Sequence, residues 1–144
     1  MSLSTKNKHM SEQQIQNKIF SVFKGQYPRV GVEISVLNRC IDIVYSNDDR
    51  EIMTIEIKLR DWRKAVRQAI DHQLYADKSY ICLPRPHKGA NVQLVALLEQ
   101  HGIGLIWFDT NASNEVKVEE FIEARRNDFR WAPARRKIES MLYA

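Results

Sequence analysis

A chain of 144 residues, 44% of them hydrophobic, is long enough for one domain with a real core and too short for two large ones. Its net charge of +4, from 22 basic against 18 acidic residues, permits a polyanionic partner without requiring one. No apolar run approaches the ~20 residues of a membrane span, the polar start has no signal-peptide core, and Cys40 and Cys82 lack C-x-x-C spacing, so a cytoplasmic protein with buried free thiols is expected rather than a membrane, disulfide-rich or zinc protein.

Met1 to Met10 is polar, lysine-bearing and aperiodic, which reads as a flexible tail. From Ser11, a potential cap, Ile15, Ile19, Phe20, Val22 and Phe23 recur at helical spacing until Gly25 and Pro28 stop the run. Arg29 to Leu37 then alternates Val30, Val32, Ile34 and Val36 with Gly31, Glu33 and Ser35, the period of a strand. A second strand, Arg39 to Tyr45, and a third, Met53 to Leu59, flank the turn-rich Ser46 to Arg50, so a hairpin is expected. In the third, Met53, Ile55, Ile57 and Leu59 alternate with Thr54, Glu56 and Lys58, which predicts one buried and one polar face.

Asp61 can cap a helix whose apolar stripe is Trp62, Ala65, Val66, Ala69, Ile70 and Leu74, with Gln68, His72 and Tyr75 sharing an edge beside it. A short strand, Ser79 to Leu83, ends at Pro84 and Pro86. Asn91 to His101 reads as a helix with Val92, Val95, Ala96, Leu97 and Leu98 inward, and Ile103 to Phe108 as a fully buried strand. Beyond it, Glu115 to Glu119 suggests a short strand, and Glu120 to Arg126 and Ala134 to Leu142 suggest helices. The chain thus divides into a tail, 1–10, a core domain, 11–110, and an extension, 111–144, packed on the same domain.

The core order is helix, three strands, helix, strand. A right-handed crossover through the Trp62 helix lays the next strand parallel to the third, which predicts an α/β fold with a mixed sheet flanked by helices. The hairpin brings Asp42 towards Glu56, and a two-residue turn at Leu37 and Asn38 would set Glu33 opposite Asp42. A carboxylate within Cys40-Ile-Asp-Ile-Val44 is costly to bury alone and needs a metal, a cation or a water-lined cleft. The residues by themselves also fit a solvated strand face with Asp42 paired to Arg39 or Arg60.

An aspartate in the second strand and Glu-x-Lys in the third, within an αβββαβ order, resembles the PD-(D/E)XK nuclease superfamily and its restriction endonuclease-like fold. The resemblance covers about Ser11 to Pro84, and Ile41 stands where that family places a proline. It implies Asp42 and Glu56 as ligands of Mg²⁺ or Mn²⁺, with the Ile57 backbone carbonyl beside them, and Lys58 as the group that orients or helps deprotonate the attacking water. The family's further acid is matched by Glu12 on the first helix, with Glu33 favoured over it by the hairpin register. Gln68, with His72 and Tyr75, is similar to the Gln and Tyr that some branches carry on this helix. A second Glu-x-Lys, Glu115-Val116-Lys117, is the control for chance: it follows the polar loop Thr110 to Asn114, with no apolar strand carrying a partner Asp expected before it.

Two basic stretches suit phosphate contacts. Arg60, Arg63, Lys64 and Arg67 lie on the second helix, and Arg130, Arg135, Arg136 and Lys137 lie near Phe129 and Trp131, which could stack on bases or sugars. The expected function is a Mg²⁺- or Mn²⁺-dependent endonuclease hydrolysing phosphodiester bonds of DNA in repair, restriction or defence. A nuclease-fold module without catalysis, binding DNA or a protein partner, is the alternative. RNA as substrate stays open, and so does a homodimer, since small nucleases commonly dimerise to cut two strands.

Overall fold

The computed structural model describes residues 10–36, 38–128 and 131–144. The expectations for the 1–9 tail, for Leu37 and for Phe129 and Arg130 lie outside these residues. The elements are α1 (Glu12–Lys24), β1 (Arg29–Val36), β2 (Arg39–Ser46), β3 (Ile52–Ile57), α2 (Trp62–His72), β4 (Lys78–Pro84), α3 (Val92–His101), β5 (Gly104–Thr110), β6 (Val116–Ile122) and α4 (Ala132–Leu142). Helix starts follow local chemistry. Ser11 closes a capping box with Gln14, and the Asp61 and Asn91 side chains accept from the backbone of Lys64 and Leu94.

The strands form one six-stranded sheet in chain order, β1-β2-β3-β4-β5-β6. β1, β2 and β3 pair antiparallel, β3, β4 and β5 parallel through the α2 and α3 crossovers, and β6 returns antiparallel. This is the mixed α/β sheet that the element order predicts. α1 packs Ile15, Ile19 and Phe23 on Ile43, Ile55, Tyr80 and Cys82 of one sheet face. On the other face α2 and α3 cover Ile81, Leu83, Leu105 and Trp107, while α4 covers Val36, Ile41, Val44 and Ile52.

That two-sided cover corrects several expectations. β3 has no polar face: all six residues are buried, including Thr54 and Glu56, because helices lie on both sides of a central strand. α2 ends at His72, so Leu74 falls past the helix and is 44% exposed. In α3 the inward residues are Leu94 and Leu98; Val92, at its first turn, is 81% exposed. Glu120 to Arg126 is not a helix, because β6 extends to Ile122, pairing with β5 across a register shift and setting Phe121 against Trp107 at 5.4 Å between ring centroids. Residues 111–144 therefore add a strand and a helix to the same sheet rather than a separate layer. Cys82 is buried, but Cys40, at the start of β2, is exposed. Among the described residues no helix is long and apolar enough to cross a membrane.

Gly104 opens β5 where the sheet and the chain after β6 come closest. A Cβ there would meet the Tyr80 ring and come within 2.8 Å of the Ala124 backbone nitrogen. Gly104→Ala should therefore destabilise the protein by about 1–3 kcal/mol through overpacking. A urea midpoint unchanged from wild type would show that this close approach yields without strain.

Candidate active site

The site forms where β2 and β3 separate. Their ladder runs from Ser46↔Ile52 to Ile43↔Ile55 and stops there. Past that point the Ile57 N–H, with no β2 carbonyl to meet, donates to Asp42 Oδ2 at 2.8 Å. One side chain thus stands in for a backbone ladder bond, which satisfies a buried donor and aims the carboxylate at the gap. On the other side β3 continues along β4, with Ile57 opposite Cys82 and the Lys58 N–H donating to the Cys82 carbonyl at 3.1 Å. In a strand the N–H and C=O of one residue point the same way, so the Ile57 carbonyl faces the same gap as Asp42.

Glu56 is 3% exposed and shares a hydrogen bond with Asp42. Burial, then the neighbouring Asp42 charge, raises its pKa from 4.5 to about 9, against the pull of Lys58. Asp42 is also raised, mainly by burial, while the Ile57 N–H opposes the shift. At neutral pH the pair therefore holds one proton between two carboxylates. Glu56 Oε1 is buried without a hydrogen-bond partner, and His72 Nε2 lies 3.8 Å from it. His72 is itself 2% exposed, and burial followed by the Arg39 charge lowers its pKa to about 4, so it is neutral at pH 7.

Of the two acids considered for a third position, Glu12 stands beside this pair. It accepts from the Leu59 N–H at 3.0 Å, lies 3.9 Å from Lys58 Nζ, and its charge raises the pKa of both Asp42 and Glu56. Glu33 does fall opposite Asp42 in register, bracketed by Val32↔Ile43 and Ile34↔Ile41. Its φ of 53° breaks the strand's alternation, however, and its carboxylate accepts from Gln16 Nε2 at 3.0 Å. Register alone favoured Glu33; a local kink in the backbone turns it to α1.

Gln68 and His72 line a cleft of about 280 Å³ with Asn38, Arg39 and Cys40. Gln68 Oε1, His72 Nδ1 and the Tyr75 hydroxyl are buried without hydrogen-bond partners, so this edge of α2 presents unmet polar groups next to Glu56. The sequence placed His72 on this edge but assigned it no role; its signal was the four-residue spacing from Gln68. The solvated alternative does not survive, since Arg39 pairs with Asp71 at 2.9 Å and Glu56 is buried.

Hard oxygens suit a divalent cation that keeps several waters, for which one or two carboxylates suffice. Asp42, Glu56 with its unpartnered Oε1, and the Ile57 carbonyl fit that requirement. Among the described residues no group of three or more His, Cys, Asp and Glu is gathered for a metal.

No protein-family model and no curated protein matches the chain. Solved structures do. A protein of unknown function from Silicibacter pomeroyi superposes with a TM-score of 0.64 at 17% identity, over 94% of this chain and 85% of its own. A repair endonuclease from Pyrococcus abyssi gives 0.52 at 21% identity, over 69% of this chain and 47% of that one. EndoMS in complex with double-stranded DNA gives 0.51 at 20% identity, over 72% and 47%. The fold is restriction endonuclease-like. The chain spans about half the length of each of these two endonucleases.

On this restriction endonuclease-like fold the basic residues separate by environment. Lys64 and Arg67 line a cleft of about 450 Å³ with Arg39 and Gln68, and Lys137 lines one of about 600 Å³ with Ser35, Arg39 and Cys40. Arg136 is exposed on α4, Arg60 is exposed after β3, and Arg63 lies over the Trp62 ring and donates to Gln93. Arg135 differs: it is 17% exposed and held by Asp77 at 3.0 Å and Glu139 at 3.6 Å, which ties α4 to the start of β4. The second Glu-x-Lys needs correction as well. Asp109 lies on β5 directly opposite Lys117, so a partner Asp does precede it. What separates the two copies is environment, since Asp109 is 47% exposed and taken by Arg85 at 3.0 Å.

The carboxyl pair has a thermodynamic signature. Between pH 4.5 and about 9 the folded state keeps a proton on Glu56 that the unfolded chain releases, so stability falls as pH rises through that window. His72 acts oppositely between about 4 and 6.5, where the unfolded chain takes up the proton and stability rises with pH. Above pH 6.5 the carboxyl pair is left to dominate. In chelator-treated protein the thermal midpoint should decline from pH 6.5 towards 9, and Glu56→Gln should raise it at pH 8 and flatten the decline. An unaltered slope in the variant would show that the pair shares no proton.

Proposed function

We propose that the chain is a metal-dependent nuclease that hydrolyses phosphodiester bonds of DNA. The observation that carries this reading is a pair of hydrogen-bonded, buried carboxyl groups, Asp42 and Glu56, at the divergence of two strands in a restriction endonuclease-like fold. A divalent cation held by the two carboxylates, with the Ile57 carbonyl beside them, would supply a nucleophilic hydroxide at neutral pH and offset charge on the phosphate oxygens. Asp42 is aimed in advance by the Ile57 N–H, so little reorganisation remains when the pair gives up its proton to become a dianionic oxygen site. Neutral His72 backs Glu56 without competing as a cation. Lys58 adds a point charge next to the pair, where negative charge develops on the phosphate in the transition state, and Glu12 holds it there from α1.

DNA as substrate is supported by the basic clefts around Arg39, Lys64, Arg67 and Lys137 that adjoin this site, and by a structural neighbour captured with double-stranded DNA. A role in repair, restriction or defence belongs to this proposal.

Asp42→Ala and Glu56→Ala should each abolish Mg²⁺- or Mn²⁺-dependent cleavage while leaving DNA binding largely intact. Lys58→Ala should slow the single-turnover rate by about 10²–10³-fold with little change in affinity, the size seen when one transition-state charge stabiliser is removed. Either carboxylate variant cutting at the wild-type rate would end the assignment.

Capture is expected to be separable from chemistry. Replacing Lys64 and Arg67 by alanine should lower the dependence of log affinity on log salt by about two, one unit for each phosphate no longer neutralised, without changing turnover of bound substrate. Arg135→Ala should instead lower stability, because Asp77 is deprived of a partner. A salt slope unmoved by the first pair would shift the binding face to Arg136 and Lys137.

A further inference from the structure

A cavity of about 280 Å³ opens at the carboxyl ends of β3, β4 and β5, the place where open α/β sheets take their ligands. Leu59, Pro84 and Phe108 supply apolar walls, and Arg60, Thr110 and Asn114 form the rim. It shares a wall with the catalytic groups: Ile15, which also lines it, sits one turn beyond Glu12, and the Leu59 N–H is the donor that holds the Glu12 carboxylate.

The rim is polar and uncommitted. Arg60 forms no ion pair with another described residue, and neither the Thr110 hydroxyl nor the Asn114 carboxamide is hydrogen-bonded to one. Asn114 is nevertheless held in place. Its φ of 59° belongs to a tight turn in which Asn111 Oδ1 accepts from the backbone of Ser113 at 2.9 Å and Glu115 at 3.0 Å.

We propose that this cavity is a subsite for one unstacked nucleobase of the substrate strand, next to the scissile phosphate. The position of that phosphate rests on the nuclease reading above. The chemistry suits a nucleotide: apolar walls for the face of a base, a carboxamide and a hydroxyl for its edge, and a guanidinium for a flanking phosphate. The volume lies at the small end of ligand pockets, which run to about 300–1,000 Å³, and so admits a single ring system rather than a peptide or a paired step. A base stacked within a duplex cannot reach it, so the base must leave the stack, and Asn114 with Thr110 then sets which base is preferred at that one position.

The test uses single-stranded oligonucleotides carrying one 2-aminopurine, or one abasic residue, at successive positions, bound to the Glu56→Gln protein so that none is cut. The fluorescence should change on binding at one position, and an abasic residue there should weaken binding about tenfold, the scale of removing one stacked base. Asn114→Gly, which suits the positive φ, and Thr110→Val should each shrink that difference. A uniform response along the strand, or abasic substitution tolerated everywhere, would overturn the proposal. A position-specific signal with no cleavage by the wild-type protein in Mg²⁺ or Mn²⁺ would uphold the subsite and sink the nuclease reading. Cleavage without such a signal would do the reverse, and failure to bind any of the oligonucleotides would overturn both.

Discussion

The hydrogen bond from the Ile57 N–H to Asp42 is the constraint on which the site depends. Two antiparallel strands normally continue their ladder until one ends, and here the ladder stops at Ile43↔Ile55 while β3 runs on beside β4. Divergence leaves a central-strand donor facing away from its neighbour, which is expensive in a buried place unless something accepts from it. Asp42 is that acceptor, so the feature that opens the gap also furnishes it with a carboxylate of fixed orientation.

Placing Glu56 beside it makes the arrangement costly in the absence of a cation. Two carboxyl groups in a place this dry cannot both ionise, and they hold a proton at a pH where exposed carboxylates have lost theirs. The surroundings do nothing to relieve this: His72 is kept neutral, and Lys58 lies at the edge, partly engaged by Glu12. A cluster of unmet polar atoms on Glu56, Gln68, His72 and Tyr75 within an otherwise well-packed two-sided sheet is the mark of a place shaped for a ligand rather than for stability.

The rest of the fold serves to hold β3 in the middle. α1 presses on one sheet face and brings Glu12 to the end of β3, while α2 on the other face brings Gln68 and His72 to Glu56. α4, anchored through Arg135 to Asp77, closes the face over β1 and β2 and carries Lys137 to the cleft by Arg39. Two crevices follow from this geometry, one polar along α2 and one apolar at the strand ends.

Periodicity and capping chemistry are local, and what they govern was legible in the residues: the helix from Ser11, the three strands through Ile57, the Asp61 cap and the crossover to β4. So was the pairing of Asp42 with Glu56, because a short turn leaves consecutive strands few ways to lie together. Burial was misjudged wherever a second layer decided it. Glu56 alternates like a surface residue, yet α2 covers it; Val92 alternates like a core residue, yet it lies beyond the edge of the sheet. The partner acid was also beyond local reading, since one positive φ at Glu33 reverses what the register implies and Glu12 arrives from 47 residues away. Spacing along the chain is enough to say which chemical groups the strands carry and in what order. Which of those groups lose their water and face one another follows from packing between elements distant in the chain, and it is this desolvation that makes an ordinary Glu-x-Lys string into a site.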